Sequence, residues 1–204
     1  EMRSDVQQGV QRLLDTQQRQ ILGIVGAPGA GKSTLVAHIV EHFGSQVVVL
    51  PMDGFHLADA ELRRLGRDQR KGAPDTFDAA GFVSLLSRVR DQTDDVIYAP
   101  EFDRSLEAAI AGSIAISPET PLVIAEGNYL LLQTGAWRHV RPLLDASWYV
   151  DVDEALRVPR LIERHVKFGR TPEAARAWVM ASDEPNARLI EQCKPLADWL
   201  VPWA

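Results

Sequence analysis

Eight consecutive residues near the start of the chain constrain it more than any others. Gly26-Ala27-Pro28-Gly29-Ala30-Gly31-Lys32-Ser33 fits the pattern G-x-x-x-x-G-K-[ST] at every fixed position. An apolar run, Ile21–Val25, precedes it, and Leu35, Val36, Ile39, Val40 and Phe43 follow with helical spacing. A strand, a glycine-rich loop and a helix in that order form a phosphate cradle. Glycines at 26, 29 and 31 let the backbone turn its amides inward. The following helix adds its positive end. Lys32 is placed to reach the β- and γ-phosphates of a nucleotide, and the Ser33 hydroxyl to sit on Mg²⁺. Ala27, Ala30 and Thr34 complete the expected cradle.

The rest of the chain alternates strand and helix. Strands are expected at 20–25, 46–50, 95–99, 121–126, 146–150 and 198–201, with a short edge strand at 114–116. Helices are expected at 4–18, 32–43, 78–91, 136–144, 153–168, 172–181 and 184–193. In the fourth-strand region Leu122-Val123-Ile124-Ala125 reads as buried on both faces. The alternation implies an α/β, three-layer P-loop NTPase fold: a mostly parallel sheet of about five strands, helices on both faces, and a small helical lid over about 153–172. Length favours one domain spanning 1–204.

Composition narrows the partners. The net charge of −6 argues against a general nucleic-acid binder, which needs a basic surface. Cys193 is the sole cysteine, so no internal disulfide or cysteine-based zinc site is available, as suits a reducing cytoplasm. No apolar stretch approaches the ~20 residues of a membrane helix, and no signal peptide is evident.

In an open parallel sheet, ligands bind beyond the carboxyl ends of the strands. Residues just past those ends should therefore converge with the cradle: Asp53, the segment Tyr98–Arg104, and Glu126. Asp53 is placed to accept the proton of an acceptor hydroxyl, and is a candidate metal ligand. A turn aspartate is the plain alternative. Glu126 is placed to hold Mg²⁺, or else caps its turn. His56 reads equally as a hydroxyl contact or a loop histidine.

Further elements carry a family resemblance: Met52-Asp53-Gly54-Phe55, Lys71-Gly72-Ala73-Pro74-Asp75-Thr76-Phe77-Asp78, Ile124-Ala125-Glu126-Gly127, Arg164-His165 with Gly169-Arg170-Thr171, and Asp183-Glu184-Pro185-Asn186. With the cradle, they make the chain resemble the uridine kinase, bacterial pantothenate kinase and phosphoribulokinase superfamily. It is most similar to small bacterial kinases called fructose transport system kinases or nucleoside/nucleotide kinases. The resemblance implies ATP and Mg²⁺ as cofactors and Asp53, Lys32 and Arg164 as catalytic groups. Ser33, Glu126 and Asp53 would form the metal shell. Asp53, Phe55, His56, Lys71, Tyr98, Phe102, Asp103, Arg104 and Glu126 would face the acceptor. Phe102 either stacks on a ring or packs.

A basic lid is the last expectation. Arg157, Arg160, Arg164, His165, Lys167 and Arg170 lie in one segment, and Arg160, Arg164 and Arg170 are assigned to nucleotide phosphates. A second basic stretch, from Arg63 to Lys71, reads an anionic acceptor or is a solvated helix. The expected activity is transfer of the ATP γ-phosphate to a small-molecule hydroxyl. A fructose-like sugar comes first, with pantothenate and nucleosides open. A nucleotide-dependent regulatory ATPase is the other class considered. Relatives often oligomerise, so a homodimer is left open.

Overall fold

The computed structural model describes residues 2–93 and 95–203. At its centre is β1 (Gln20–Val25), buried throughout from Ile21 to Val25. An apolar run of that kind is what a strand covered on both faces requires. Successive side chains of β1 then serve opposite layers. Leu22 and Ile24 pack with Leu35, Ile39 and Phe43 of α2 (Lys32–Phe43) and with Val6 and Val10 of α1 (Ser4–Leu14). Ile21 and Val25 pack in the other layer, with Phe82 and Leu86 of α4 (Ala79–Arg90) and Ile190 of α7 (Glu184–Glu191). The Asp78 carboxylate caps α4, accepting from the Gly81 amide at 2.9 Å.

Five strands form the sheet, all parallel, in the order β2-β5-β1-β6-β7. β2 spans Val47–Pro51, β5 Leu122–Glu126, β6 Ala146–Asp151 and β7 Trp199–Pro202. This is the α/β layering expected from the sequence. Glu126 pairs with Ile24 of β1 and with Pro51 of β2, so three strand ends lie level.

The helix expected at 4–18 ends at Leu14 and the one at 172–181 gives way to a π turn after Trp178; two further segments depart in kind. Residues 95–99 do not join the sheet. Residues 97–99 instead begin β3 (Ile97–Asp103), which pairs antiparallel with β4 (Ala108–Ile116) in a separate hairpin. The expected short strand at 114–116 is the end of β4. The reason lies in the pattern of β3: Ile97 and Ala99 are buried while Tyr98 is 60% exposed, which suits a strand covered on one face only. The helix expected at 136–144 is instead two 3₁₀ turns, Gly135–His139 and Arg141–Leu143. Pro142 lacks the amide that a continuous helix would use there.

The hairpin is seated on the turn that follows β2. A Cβ placed on Gly54 would lie 2.3 Å from the Pro100 carbonyl oxygen, a backbone atom with little freedom to retreat. Gly54→Ala should therefore displace the hairpin, at a cost of about 1–3 kcal/mol. For a domain of this size that is a fall in Tm of roughly 2–12 °C. Calorimetry of the variant checks it, and an unchanged Tm would show that the hairpin is not held at this point.

Candidate active site

The loop of residues 26–31 runs directly into α2. Gly29 has φ +79° and Gly31 +91°, the left-handed region where a side chain is strained. Lys32 is 8% exposed, and its Nζ donates to the Ala27 carbonyl at 3.2 Å. Burial pushes its pKa down, while Glu126 and Asp53 pull the other way. Glu126 ends β5. Burial raises its pKa, opposed by the nearby Lys32 charge. The Ser33 hydroxyl donates to Glu126 Oε1 at 3.5 Å. Two hard oxygens thus stand beside the cradle, the donor chemistry that Mg²⁺ takes. Among the described residues no three His, Cys, Asp or Glu side chains cluster as a metal site. An ion here would be shared with phosphate oxygens.

Two cavities open above the sheet. One, about 560 Å³, is lined by Gly31, Lys32, Ser33, Thr34, Arg160 and Trp203, among others. The second, about 590 Å³, is lined by Asp53, His56, Lys71, Phe102, Asn128 and Asp183, among others. Arg104, Arg164 and Phe168 border both. Arg104 approaches the Asp53 carboxylate at 3.6 Å. The cradle and Asp53 therefore serve adjoining spaces with two guanidinium groups at the junction.

Most expected site residues meet here. His56 packs between Phe77 and Phe102, with ring centroids 4.1 and 4.6 Å away. Its Nδ1 lies 2.8 Å from the Asp53 carbonyl oxygen, and burial lowers its pKa. Phe102 thus packs on a neighbouring ring while bordering the second cavity.

Other expected residues stand apart. Tyr98 borders neither cavity: it is exposed to solvent, and a register shift between Ala99 and Glu101 separates it from Phe102. Asp103 caps the hairpin turn, accepting from the Ser105 and Leu106 amides at 2.8 and 3.1 Å. The Ser105 hydroxyl bond, first among its contacts, lowers its pKa. Phe55 packs edge-on against Phe82, 5.1 Å between centroids, beside the core. Arg170 borders the second cavity rather than the nucleotide one, its guanidinium 4.3 Å over the Trp178 ring. Arg157 faces no phosphate space. It is buried against Glu184. The second basic stretch is occupied by nearby acids: Arg64 with Glu61 at 2.6 Å, Arg70 with Asp75 at 2.7 Å and Lys71 with Asp59 at 2.8 Å.

Sequence reasoning did not assign roles to Asn128, Trp178, Asp183, Asn186 or Trp203, all of which border a cavity. Asp183 and Asn186 fall in one of the quoted motifs, which was the available signal. Trp203 follows the last strand and lies over Gly31, where an added Cβ would be 2.7 Å from its Nε1. Its position past β7 marked it, but nothing in its neighbours did.

The family model for "Phosphoribulokinase / Uridine kinase family" matches residues 21–203. The chain belongs to that family. It is a P-loop kinase, a phosphotransferase that binds nucleotide. It is 37% identical over 191 residues to the protein named "Putative uridine kinase C227.14" from Schizosaccharomyces pombe, covering 88% of this chain and 81% of that one. It is 31% identical to the Escherichia coli K12 protein YggC, over 87% of this chain and 75% of YggC. Among solved structures, a "putative fructose transport system kinase" from Silicibacter sp. TM1040 aligns with TM-score 0.86 and 40% identity, covering 96% of both chains. YFH7 from Saccharomyces cerevisiae shares the fold at TM-score 0.78 and 20% identity, over 94% of this chain and 95% of that one. No helix among the described residues is long and apolar enough to cross a membrane.

The raised pKa of Glu126 has a consequence for stability. Its ionised form is disfavoured in the folded kinase, so folding is penalised above the folded pKa and not below the ordinary value near 4.5. Glu126→Gln removes the penalty. In ligand-free protein it should raise Tm at pH 7 and leave Tm unchanged at pH 4. Thermal melts at both pH values check this, and an equal shift at each would contradict it.

Proposed function

We propose that this kinase transfers the γ-phosphate of ATP to a hydroxyl of a small polar acceptor, with a fructose-like sugar as the first candidate. The observation that carries the reading is the pair Arg104 and Arg164, which border both the cradle cavity and the cavity holding Asp53. A phosphoryl group passing between the two spaces would pass them.

In this reading ATP lies along the cradle with Lys32 at its β- and γ-phosphates. The acceptor occupies the second cavity. Asp53 orients its hydroxyl and takes the proton as oxygen attacks the γ-phosphorus. The bond to the β,γ-bridging oxygen breaks and ADP leaves. Charge spread over the transferring group is met by Lys32, Arg104 and Arg164. Burial lowers the Arg164 pKa, but an arginine remains charged throughout the working range. Ser33 and Glu126 would hold Mg²⁺ together with phosphate oxygens, and the bound ion would neutralise charge on the β- and γ-phosphates.

The acceptor reading follows from the walls. Asn128, Asn186 and Asp183 offer donors and acceptors to hydroxyls, and Phe102 and Trp178 offer apolar faces to ring carbons. The likeness to the Silicibacter protein favours a sugar. A uridine-type nucleoside is the second reading, supported by the fission-yeast relative and by the His56–Phe77–Phe102 aromatic wall.

ADP release coupled to NADH oxidation, over sugars, nucleosides and pantothenate, tests the proposal. Release above the no-acceptor rate with a sugar is expected. Release that never exceeds that rate with any acceptor would overturn the kinase reading in favour of a nucleotide-dependent switch. Asp53→Asn should lower turnover by about 10²–10⁴-fold while MgATP binding persists. Lys32→Ala should weaken MgATP binding itself, measured by calorimetric titration. Normal turnover in Asp53→Asn would remove that residue from the chemistry.

A further inference from the structure

Arg157 is the largest side chain in the fold that is almost fully buried, at 1% exposure. It projects from the first half of α5 (Glu154–Lys167). Its Nη1 lies 2.8 Å from Glu184 Oε1 and also donates to the Pro28 carbonyl at 3.2 Å. Glu184 is 2% exposed. Arg157 Nε and Glu184 Oε1 both lack a hydrogen-bond partner among the described residues, so the contact between the two side chains is an ion pair.

Two opposite charges have thus been taken out of water to meet each other. Such a pair adds little stability over apolar side chains of similar shape. Its distinctive property is geometric: a single nitrogen, Nη1, faces both the Pro28 carbonyl and the Glu184 carboxylate. One direction ends on the phosphate loop. Pro28 is the third residue of the cradle, and the next residue, Gly29, sits directly on α5. A Cβ on Gly29 would lie 3.2 Å from both the Arg157 carbonyl oxygen and the Leu161 Cβ.

The other direction ends on the acceptor side. Glu184 opens α7, immediately after a wide π turn at Val179–Asp183. Turns of this kind interrupt a helix where side chains must be re-aimed. Here Asp183 and Asn186 border the second cavity, while Glu184 between them is turned inward to Arg157. The Pro28 residue that receives the Arg157 bond borders the same cavity. One buried pair therefore joins the phosphate loop, the root of α5 and the wall carrying Asp183 and Asn186.

We propose that Arg157 and Glu184 are positioning residues that hold the phosphate loop in its nucleotide-competent shape from the side of the acceptor wall. Neither touches phosphate. They act through the Pro28 carbonyl, and their contribution appears as grip on nucleotide rather than as stability of the fold. The assignment concerns the nucleotide site and holds whatever acceptor is used.

The test replaces the pair with apolar side chains, in the double variant Arg157→Met/Glu184→Leu. Unfolding should remain cooperative, with a Tm close to that of the parent. MgATP affinity, measured by calorimetric titration, should fall at least tenfold. Hydrogen exchange of the amides of Ala27, Gly29, Ala30 and Gly31 should accelerate in the ligand-free protein. Arg157→Lys is the second variant. It keeps a charge opposite Glu184, but its shorter stem does not carry the nitrogen to the Nη1 position that also reaches Pro28. A smaller loss of affinity and the same local acceleration are expected, and this variant decides the matter if the double variant does not fold.

MgATP affinity within twofold of the parent, with unchanged exchange at 27–31 in either folded variant, would overturn the proposal. Accelerated exchange spread evenly over the whole chain would do so too, since it would mean the pair serves global stability. If the parent itself binds no MgATP, the nucleotide reading fails, and the exchange measurement still decides whether the pair anchors the loop.

Discussion

Parallel pairing of β5 with β1 on one side and β2 on the other is the constraint on which the site depends. It sets Glu126 level with Ile24 and Pro51. The residues proposed to do chemistry then fall within a few positions of that line: the cradle after β1, Asp53 after β2, and Glu126 itself. A slip of one residue in β5 would exchange its two faces and turn Glu126 away from Ser33. The apolar runs in β1 and β5 resist such a slip because each of their residues already has a place in one of two packed layers.

The same edge concentrates charge that the fold would be more stable without. Lys32 is pushed toward its neutral form and Glu126 toward its protonated form, both by burial. Each partly relieves the other. In the proposed reading this balance suits a phosphate ligand, which would bring negative charge to Lys32 and, with it, a cation beside Glu126. Perturbed groups facing a cleft commonly mark function. In this kinase the perturbation arises from where the strands end.

The central fold could be read from the sequence because its signals are local and periodic. The cradle motif, the helical spacing after it and the apolar strand cores each refer to neighbours in the chain. The second cavity was harder to read. Asp53 and Glu126 were accessible because strand ends in a parallel sheet share an edge. Asp103 and Tyr98 were misplaced because Ile97–Ala99 looked like another sheet strand, and only its one-sided burial shows otherwise. Arg157, on α5, and Arg170, just past its end, illustrate the limit for charged residues in a basic segment. Spacing puts them with other basic groups but does not say whether a given one meets phosphate, a tryptophan face or a buried glutamate. That choice is made by α6 (Pro172–Trp178) and α7, which pack against α5 from later in the chain.

The β3–β4 hairpin carries a further implication. It lends Phe102, Arg104 and Glu107 to the second cavity, yet its strands pair only with each other. It is fastened at its base, through Ile97, Ala99 and Ile116 in the core and through Pro100 against Gly54, while Leu106 near its tip is 65% exposed. Changes at the exposed tip, beyond Arg104, can therefore alter the wall of the second cavity without disturbing the residues at the strand ends. In the proposed reading the exposed tip is free to diverge, while Arg104, which borders both cavities, ties the rest of the hairpin to phosphoryl transfer.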